Sequence, residues 1–354
     1  MPHRNAARIL IAVLAASGIL QMNLACQTPT GGSLAHELKR RGDEGLALVR
    51  LQDNLMGLLP LGNEWQTLLN PRGVSSAWFS GDGKTVVWGI YQSQQEQLAT
   101  CPWPVVVEVL NEPGYWQLPG NILNIRAMAV SSDAKQVAFA GSFKPEGVFD
   151  PALPKRARWI TGLQYIDSKS NKTSLILPFE EQSREVTSIS FSPDGTQFVY
   201  DYKNRIFVYD VGSGSSRQIT SGTNPTWSPN GKWIAFRSLS GEAVAVNATT
   251  FQTETIFGRR KIKTSVHWSP DSRYVAMAEP ISPASNLVRG RNPVWGPIAQ
   301  MIVERLEDHA TAIVHLFDPE GADDRGVYWI PDQSAFMRMA SKFPSIKACD
   351  ESVQ

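Results

Sequence analysis

The sequence has few of the residues and motifs that mark a catalytic or metal-binding protein. Its 354 residues include only three cysteines and five histidines. No Cys-x-x-Cys, His-Glu-x-x-His, Walker or Gly-x-Ser-x-Gly pattern occurs, so the common signatures of zinc sites, nucleotide loops and serine hydrolases are absent. The 34 basic and 33 acidic residues nearly cancel and form no basic run, so nucleic acid is not an expected partner.

The apolar stretch near the N-terminus is too short for a typical membrane-spanning helix. It runs from Ile9 to Leu20, twelve residues, whereas a membrane-spanning helix needs about 20. Arg4 and Arg8 precede it, and a positive start before a short apolar segment is typical of a secretory signal peptide. We therefore predict that residues 1–25 are an export signal. A permanent membrane helix is the alternative.

The end of this segment resembles a bacterial lipobox. In Asn23-Leu24-Ala25-Cys26 a small residue precedes a cysteine, the arrangement in which the signal is removed and the cysteine is diacylated. The next residues, 27–33, resemble the flexible tether of a lipoprotein, and residues 33–41 predict a short helix. Lipidation of Cys26 would anchor the exported protein to a membrane of the cell envelope or periplasm. In the alternative interpretation, Cys26 is an incidental cysteine beside an ordinary cleavage site.

What the sequence does contain is a repeat. The chain is 42% hydrophobic and holds 11 tryptophans, so it has enough apolar surface to bury a core. A phrase of the type Ser-Pro-Asp-Gly occurs six times. Proline presets φ, Asp or Asn caps the turn with its own side chain, and glycine accepts positive φ, so each phrase predicts a tight turn. The third position of the phrase is held by Asp82, Asp133, Asp194, Asn230, Asp271 and Asp332.

An apolar strand is predicted after each turn. An aromatic residue stands before five of the six phrases, and three mostly apolar residues follow each turn, as in Phe198-Val199-Tyr200. A nearly continuous apolar run of this kind is typical of a strand buried on both faces. Strands that recur in the same relation to the same turn predict an assembly of similar sheets.

The aromatic-Ser-Pro-Asp-Gly turn with its apolar strand resembles the WD-repeat-like motif of the TolB β-propeller family. The match is strongest at residues 191–200, 227–236 and 268–277. The resemblance implies an all-β, six-bladed β-propeller over residues 45–349, preceded by a tether and short helix at 26–44 and followed by a tail at 350–354. Propellers host many unrelated functions, so activity does not follow from the fold.

The resemblance also implies a mode of action. TolB-type propellers act as partner-binding components of an envelope complex, and TolB carries a separate N-terminal α/β domain as well. No such domain is expected here, because the repeats start too early in the chain. The resemblance therefore implies partner binding and does not imply that particular complex.

The last blade is predicted to take strands from both ends of the repeat region. One strand, near residues 334–340, is expected after the sixth phrase, and residues 46–69 are predicted to supply the missing outer strands. The pattern leaves open whether residues 46–51 or 55–59 form the third strand. Closure of this kind leaves no open sheet edge.

The same arrangement brings two cysteines to neighbouring blades. Cys101 would precede the third strand of the first blade, and Cys349 would follow the last strand of the sixth. In an oxidising compartment a disulfide between Cys101 and Cys349 is therefore predicted, with two free buried thiols as the alternative.

Three blades carry extra chain between their second and third strands, at about residues 92–104, 143–158 and 280–297. These connections would emerge on the face opposite the six turns, and binding residues often lie on loops held by a rigid scaffold. Their mixture of basic and aromatic residues suits a protein or peptide partner. Loops folded down over the rim are the alternative. The candidate partner-binding residues are Lys144, Arg156, Arg158, Trp159, Arg289, Arg291 and Trp295.

Two classes of function remain open. The favoured one is a non-enzymatic envelope protein that works as a monomeric ring, needs no cofactor, and binds a protein or peptide through its decorated face or central channel. The alternative is a propeller enzyme or carbohydrate-binding protein acting at the channel mouth. His267 is its candidate base or metal ligand, because it lies on a predicted innermost strand. A packed histidine is the simpler interpretation of His267, and turn capping is the simpler interpretation of the six turn side chains.

Overall fold

The structure is a computed structural model that describes residues 30–52, 55–61, 66–68, 74–90, 105–118, 121–144, 160–170, 172–179, 186–263, 265–280, 299–317 and 327–341. In chain order the elements are α1 (Thr30–Asp43), β1 (Ala47–Gln52), β2 (Leu55–Pro60), β3 (Gln66–Leu68), β4 (Val74–Phe79), β5 (Thr85–Ile90), β6 (Val105–Val109), β7 (Tyr115–Gln117), β8 (Asn121–Val130), β9 (Gln136–Lys144), β10 (Ile160–Asp167), β11 (Lys172–Pro178), β12 (Ile189–Phe191), β13 (Gln197–Tyr202), β14 (Arg205–Asp210), β15 (Ser215–Ser221), β16 (Thr223–Trp227), β17 (Trp233–Arg237), β18 (Ala243–Asn247), β19 (Thr253–Glu254), β20 (Val266–Trp268), β21 (Tyr274–Pro280), β22 (Ala299–Arg305), β23 (Thr311–Phe317), β24 (Val327–Ile330) and α2 (Gln333–Ser341).

These strands form six antiparallel sheets of four strands each. Blades 1 to 5 are β4–β7, β8–β11, β12–β15, β16–β19 and β20–β23, each built from consecutive strands. Blade 6 has the order β24-β1-β2-β3, so strands from both ends of the propeller complete it. The predicted all-β, six-bladed propeller with a shared closing blade is confirmed.

The first five phrases form the turns between the first and second strands of their blades. In blade 3 the Ser192 hydroxyl donates to the Asp194 carboxylate at 2.6 Å, and the Thr196 N–H donates to the same oxygen at 3.1 Å. Gly195 follows at φ +70°, the left-handed region that glycine adopts without strain. The same pair of bonds is formed in the other four turns by Asp82, Asp133, Asn230 and Asp271.

The hydrophobic core lies between neighbouring blades. In the seam between blades 2 and 3, Ala138 and Ala140 of β9 pack in one cluster with Phe198 of β13. The next residue along β13, Val199, belongs to the seam between blades 3 and 4, where it packs with Ile234. Successive side chains of a strand point to opposite faces. Each second strand therefore contributes to two seams, which explains why its sequence is almost continuously apolar.

Two of the tryptophans before the turns join their blade to the one before it. The Trp268 indole donates to the Thr226 carbonyl at 3.3 Å, and the Trp329 indole donates to the His267 carbonyl at 2.8 Å. Both rings are buried. A large ring with one N–H can fill a seam and satisfy a carbonyl in the adjacent blade at the same time.

Blade 6 differs from the prediction in how its strands are used. Both β1 and β2 are present, as the second and third strands, and β3 is the fourth. The predicted strand at residues 334–340 is wrong, because helix α2 occupies these residues. Asp332 does not cap a β-turn as the other repeat residues do; its carboxylate accepts the Ala335 N–H at 2.8 Å and caps the start of α2.

Helix α1 is docked on the rim between blades 5 and 6. Its apolar side chains Leu34 and Leu38 are buried in the cluster that fills this seam. Arg41 pairs with the turn carboxylate of Asp271 at 2.6 Å, and Glu37 accepts hydrogen bonds from Tyr274 and Arg305 of blade 5. The predicted short helix at residues 33–41 lies within α1. In the part of the chain that the structure describes, no helix is long and apolar enough to cross a bilayer.

The docking of α1 is expected to depend on pH. The Tyr274 hydroxyl, together with Arg305, holds the pKa of Glu37 below its ordinary value although burial works in the opposite direction. The stabilising effect of a carboxylate with a lowered pKa is present above its unfolded-state pKa, here 4.5, and is lost as the pH falls through the lower folded-state pKa. We expect Glu37→Gln to destabilise the protein by about 1 kcal/mol at neutral pH.

The measurement is denaturant unfolding of both proteins at neutral and acidic pH. The difference between wild type and Glu37→Gln should shrink as the pH drops below 4.5. Glu44→Gln is the control, because Glu44 directly follows the same helix and forms an exposed pair with Arg40. An equal deficit of Glu37→Gln at both pH values would show that its charge does not hold the helix.

Candidate functional site

The six innermost strands enclose a cavity on the axis of the ring. Its volume is about 530 Å³, which is typical of sites for small ligands and short peptide segments. The lining extends from Arg126, within β8, and Thr187, just before β12, to Ser80 and Gly81 in the turn of blade 1. The cavity therefore follows the axis from one face of the ring toward the other.

One residue from each blade lines this cavity at the same height. In each innermost strand this residue stands one position before the last residue ahead of the turn. That last residue is Val130 in blade 2 and an aromatic residue in the other blades. The cross-strand pairing is equivalent from blade to blade: Ser190 pairs with Val199, and His267 pairs with Ala276. We call Trp78, His267 and Tyr328, from blades 1, 5 and 6, the aromatic wall, and Ala129, Ser190 and Thr226, from blades 2, 3 and 4, the small wall.

The two walls make the two sides of the cavity chemically different. The aromatic wall offers large rings from three adjacent blades, and burial raises the pKa of the Tyr328 phenol, so its hydroxyl stays neutral. Of the described residues that line the cavity, none is acidic, and Arg126 is the one with a permanent charge. Such a site favours a neutral or acidic segment with an apolar or aromatic side chain.

The hydroxyls of the small wall are used in bonds between blades. Ser190 Oγ accepts the backbone N–H of Trp227 at 2.9 Å, and Thr226 Oγ1 donates to the Val266 carbonyl at 2.8 Å. These groups hold blades 3, 4 and 5 together. The small wall therefore provides a fixed shape for the cavity, and the aromatic wall contributes three large rings to its lining.

A buried carboxylate supports the small wall from behind. Asp201 of β13 is 2% exposed. It accepts the backbone N–H groups of Thr187 at 2.7 Å, Ser188 at 3.0 Å and Asn224 at 3.0 Å, and also the Thr187 hydroxyl. These bonds connect the entry to the innermost strand of blade 3 with the innermost strand of blade 4. Asp201 is thus a structural anchor rather than an available base.

The Asp and Asn side chains of the first five turns also form hydrogen bonds within the fold. Burial alone would raise the pKa of Asp194, but the hydrogen bonds from Ser192 and Thr196 outweigh it and lower the pKa below the ordinary value. His267 lies on β20 in the aromatic wall, at the channel border where the sequence predicts it. Within the described ranges, no three His, Cys, Asp or Glu side chains are close enough together to hold a metal ion.

Most residues that the sequence proposes for partner binding lie outside the described residues. Lys144 is the last residue of β9. The strands that flank the three long connections are the second and third strands of blades 1, 2 and 5, and the strand ends that the connections join lie on the face opposite the turns. The connections themselves lie almost entirely outside the described residues, so their role stays a prediction. The residues outside the described part, whose roles stay predictions, are Arg156, Arg158, Trp159, Arg289, Arg291, Trp295, Cys26, Cys101 and Cys349.

The sequence analysis missed the rest of the cavity lining and the anchor behind it. The signal for Trp78 and Tyr328 was present, because His267 occupies the same position of the phrase. Arg126 lies within an irregular pairing of β8 and β9, between Leu123 and Ala127, which no sequence pattern indicates. The signal for Asp201 was its place in the sequence, as a single carboxylate between two tyrosines in a predicted buried strand.

Six four-stranded sheets around an axial cavity define the class of this protein, a six-bladed β-propeller. A solved structure agrees with that class. TolB from Acinetobacter baumannii matches with a TM-score of 0.53 and 15% sequence identity over 80% of this chain. This chain spans 66% of the length of that chain. At this level of identity the similarity shows the fold.

Other comparisons give weaker or partial matches. Putative TolB from Agrobacterium tumefaciens has a TM-score of 0.47 and 16% identity, covering 80% of this chain and 96% of that chain. Hydrazine synthase from Kuenenia stuttgartiensis has a TM-score of 0.45 and 14% identity, covering 71% and 68%. Residues 158–280 match the family model described as dipeptidyl peptidase IV N-terminal region. They comprise blades 3 and 4 with parts of blades 2 and 5. A search of curated proteins found no match.

Proposed function

We propose that this protein is an exported, lipid-anchored propeller of the cell envelope that binds a protein or peptide partner and catalyses no reaction. The observation that carries the proposal is the axial cavity with its aromatic wall. Its size suits a short peptide segment, and its rings supply contact area of the kind found at binding hot spots. The carboxylates nearest to it, Asp201 and the turn residues, are occupied by structural hydrogen bonds.

The partner segment is proposed to enter the cavity and pack a hydrophobic side chain on the aromatic wall. Arg126 is exposed at one mouth, where it would meet a carboxylate or a carbonyl of the segment. The cavity has no acidic lining residue in the described part, so a lysine-rich or arginine-rich segment would find no ion pair there.

The envelope location rests on the N-terminal sequence and on the resemblance to TolB-type propellers. Residues 1–25 carry the pattern of an export signal, and Cys26 stands where a lipobox cysteine stands. Under this proposal the mature chain begins at Cys26 with acyl chains attached. The long connections of blades 1, 2 and 5 would enlarge the partner surface around the channel mouth.

The proposal is tested by crosslinking in intact cells and affinity capture of the full-length protein, followed by mass spectrometry. Arg126→Glu and Trp78→Ala alter the cavity mouth and its aromatic wall. Each should reduce the yield of the captured partner by at least about tenfold, because a central hot-spot residue contributes more than about 1.4 kcal/mol.

Lys232→Glu is the matched control for Arg126→Glu. It makes the same change of charge at an exposed turn of blade 4, away from the cavity, and should leave capture unchanged. If both cavity variants melt like the wild type and still retain the partner, the cavity is not the site. Loss of the partner only when Arg156, Arg158, Arg289 and Arg291 are replaced together by alanine would move the site to the loops.

Metal analysis of the same purified sample distinguishes the second class of function. A stoichiometric divalent metal without a captured partner would favour an enzyme or carbohydrate-binding protein that uses His267. A stoichiometric envelope protein without metal would favour the binding protein proposed here.

A further inference from the structure

Helix α1 begins inside the predicted tether, at Thr30, and is docked on the ring from Leu34 onward. Leu34 and Leu38 are buried against blades 5 and 6, and all of the described polar contacts between α1 and blade 5 involve Glu37 or Arg41. Arg305, one of the partners of Glu37, also pairs with Asp308, which fixes the guanidinium in place. The helix thus forms part of the rim.

The chain between Cys26 and this rim is very short. Helix α1 begins at Thr30, so three residues, Gln27 to Pro29, separate it from Cys26. A fully extended chain advances at most about 3.6 Å per residue, so Cys26 lies within about 14 Å of the start of the helix. If residues 27–33 were all flexible, as the sequence predicts, the reach would be about twice as long.

We propose that the rim formed by α1 and the seam between blades 5 and 6 rests against the surface of a phospholipid membrane, which sets the orientation of the whole ring. This inference rests on the lipidation of Cys26 proposed above. A diacylated cysteine lies at the level of the lipid headgroups, and the short connection holds α1 beside it. The ring therefore stands on one edge rather than turning freely on a tether.

The outer surface of α1 is compatible with this contact. The exposed side chains described in α1 are Ala35, His36, Lys39 and Arg40 along the helix and Asp43 at its C-terminal end, the end farther along the chain from Cys26. Cationic side chains near a bilayer are attracted by anionic headgroups. Arg40 already pairs with Glu44 at 2.7 Å, so the main constraint is the length of the connection and charge is secondary.

The proposal predicts a large difference between opposite sides of the ring. Blade 5 and blade 2 lie three positions apart among six. Neighbouring strands are about 4.8 Å apart, so a blade of four strands is about 14 Å wide, and the outer strands of opposite blades lie more than about 28 Å apart. Ile313 on β23 and Leu175 on β11 are exposed apolar residues on these two outer strands, 39% and 47% accessible, and form a matched pair for labelling.

The experiment uses the full-length, acylated protein in vesicles of phosphatidylethanolamine and phosphatidylglycerol that contain a headgroup spin-labelled lipid. A fluorophore is attached to Ile313→Cys or to Leu175→Cys in a background with Cys101→Ser and Cys349→Ser. We expect the label at position 313 to be quenched at least about threefold more strongly than the label at position 175, because of the separation across the ring.

A spacer variant tests whether the docked helix causes the orientation. A Gly-Ser insertion of about 20 residues between Pro29 and Thr30 has a typical span of about 25 Å, which releases the ring from the surface. The two labels should then be quenched to similar, lower extents. Equal quenching in the protein without the spacer, or no effect of the spacer, would overturn the proposed orientation while leaving the lipid anchor intact.

Failure of the anchor itself is recognised separately. Intact-mass measurement reports the acyl chains, and Cys26→Ala should abolish co-sedimentation with vesicles. If the wild-type protein carries no acyl chains and does not sediment, both the anchor and the orientation are wrong. An acylated protein with equally quenched labels refutes the orientation alone.

Discussion

Replacing Phe336 by alanine is expected to destabilise the protein by about 3–5 kcal/mol, the usual cost of removing a buried aromatic ring. Phe336 of α2 is fully buried. Its ring centroid lies 5.8 Å from that of Phe79 and 6.2 Å from that of Trp88, in the seam between blades 6 and 1. The cavity left by the ring would weaken this seam, because blade 1 has few flexible side chains there to fill it. Denaturant unfolding measures the loss.

The neighbouring residue provides the control for Phe336→Ala. Met337 is 37% exposed and lies on the other side of the same helix. Met337→Ala should change the unfolding free energy by no more than about 0.5 kcal/mol. Similar small effects of both substitutions would mean that α2 does not contribute to closure of the ring.

Replacing Asp201 by asparagine is expected to have an effect of similar size. The carboxylate accepts three backbone N–H groups and one hydroxyl, and its residue is 2% exposed. An amide group keeps the shape but turns one acceptor into a donor that faces N–H groups. We expect a loss of about 3–5 kcal/mol, the range found when a buried charged network is broken.

Asp194→Asn makes the same chemical change where the fold tolerates it. Asn230 occupies the equivalent turn position in blade 4 and forms the same two bonds, with Ser228 at 2.8 Å and Lys232 at 3.0 Å. Asp194→Asn should therefore be neutral within about 0.5 kcal/mol. If Asp201→Asn unfolds at the same denaturant concentration as the wild type, the network behind the small wall does not stabilise the ring.

The blades were predictable because their signals are local. The turn phrase determines where two strands meet, and the apolar residues after it show a strand with two buried faces. In blade 3 the strand Gln197–Tyr202 follows directly from these patterns. Turn residues and period-two alternation act within a few residues, so one sequence is enough to read them.

Helix α2 was missed because the repeat suggested a strand where local chemistry favours a helix. Phe336 holds the position that an apolar strand residue holds in the other copies. However, the residues after Asp332 are mostly good helix formers without β-branching, and Asp332 itself is a favoured N-cap. Local propensity prevailed there because β1 already occupies the place beside β24 that a following strand would take.

The cavity was only partly predictable. His267 was placed at the channel border because its strand was recognised, and the same position of each phrase identifies the other members of the two walls. The position of Arg126 at the cavity depends on the irregular pairing before Ala127. The hydrogen bonds of Asp201 depend on the spacing between two blades. Such contacts are set by tertiary geometry, which a single sequence does not encode in a local pattern.

The composition of blade 6 also determines the order in which the ring can be completed. Blades 1 to 5 pair strands that follow one another in the chain, whereas Ala47 pairs with Ile330 across almost the whole propeller. Loop-closure entropy grows slowly with chain length, so this distant pairing costs little more than a nearer one at equilibrium. The timing of this pairing differs from that of the others, because β1 cannot pair with β24 until β24 has been synthesised. Until then blade 6 has only its three N-terminal strands, β1 to β3, and the ring of blades is not closed.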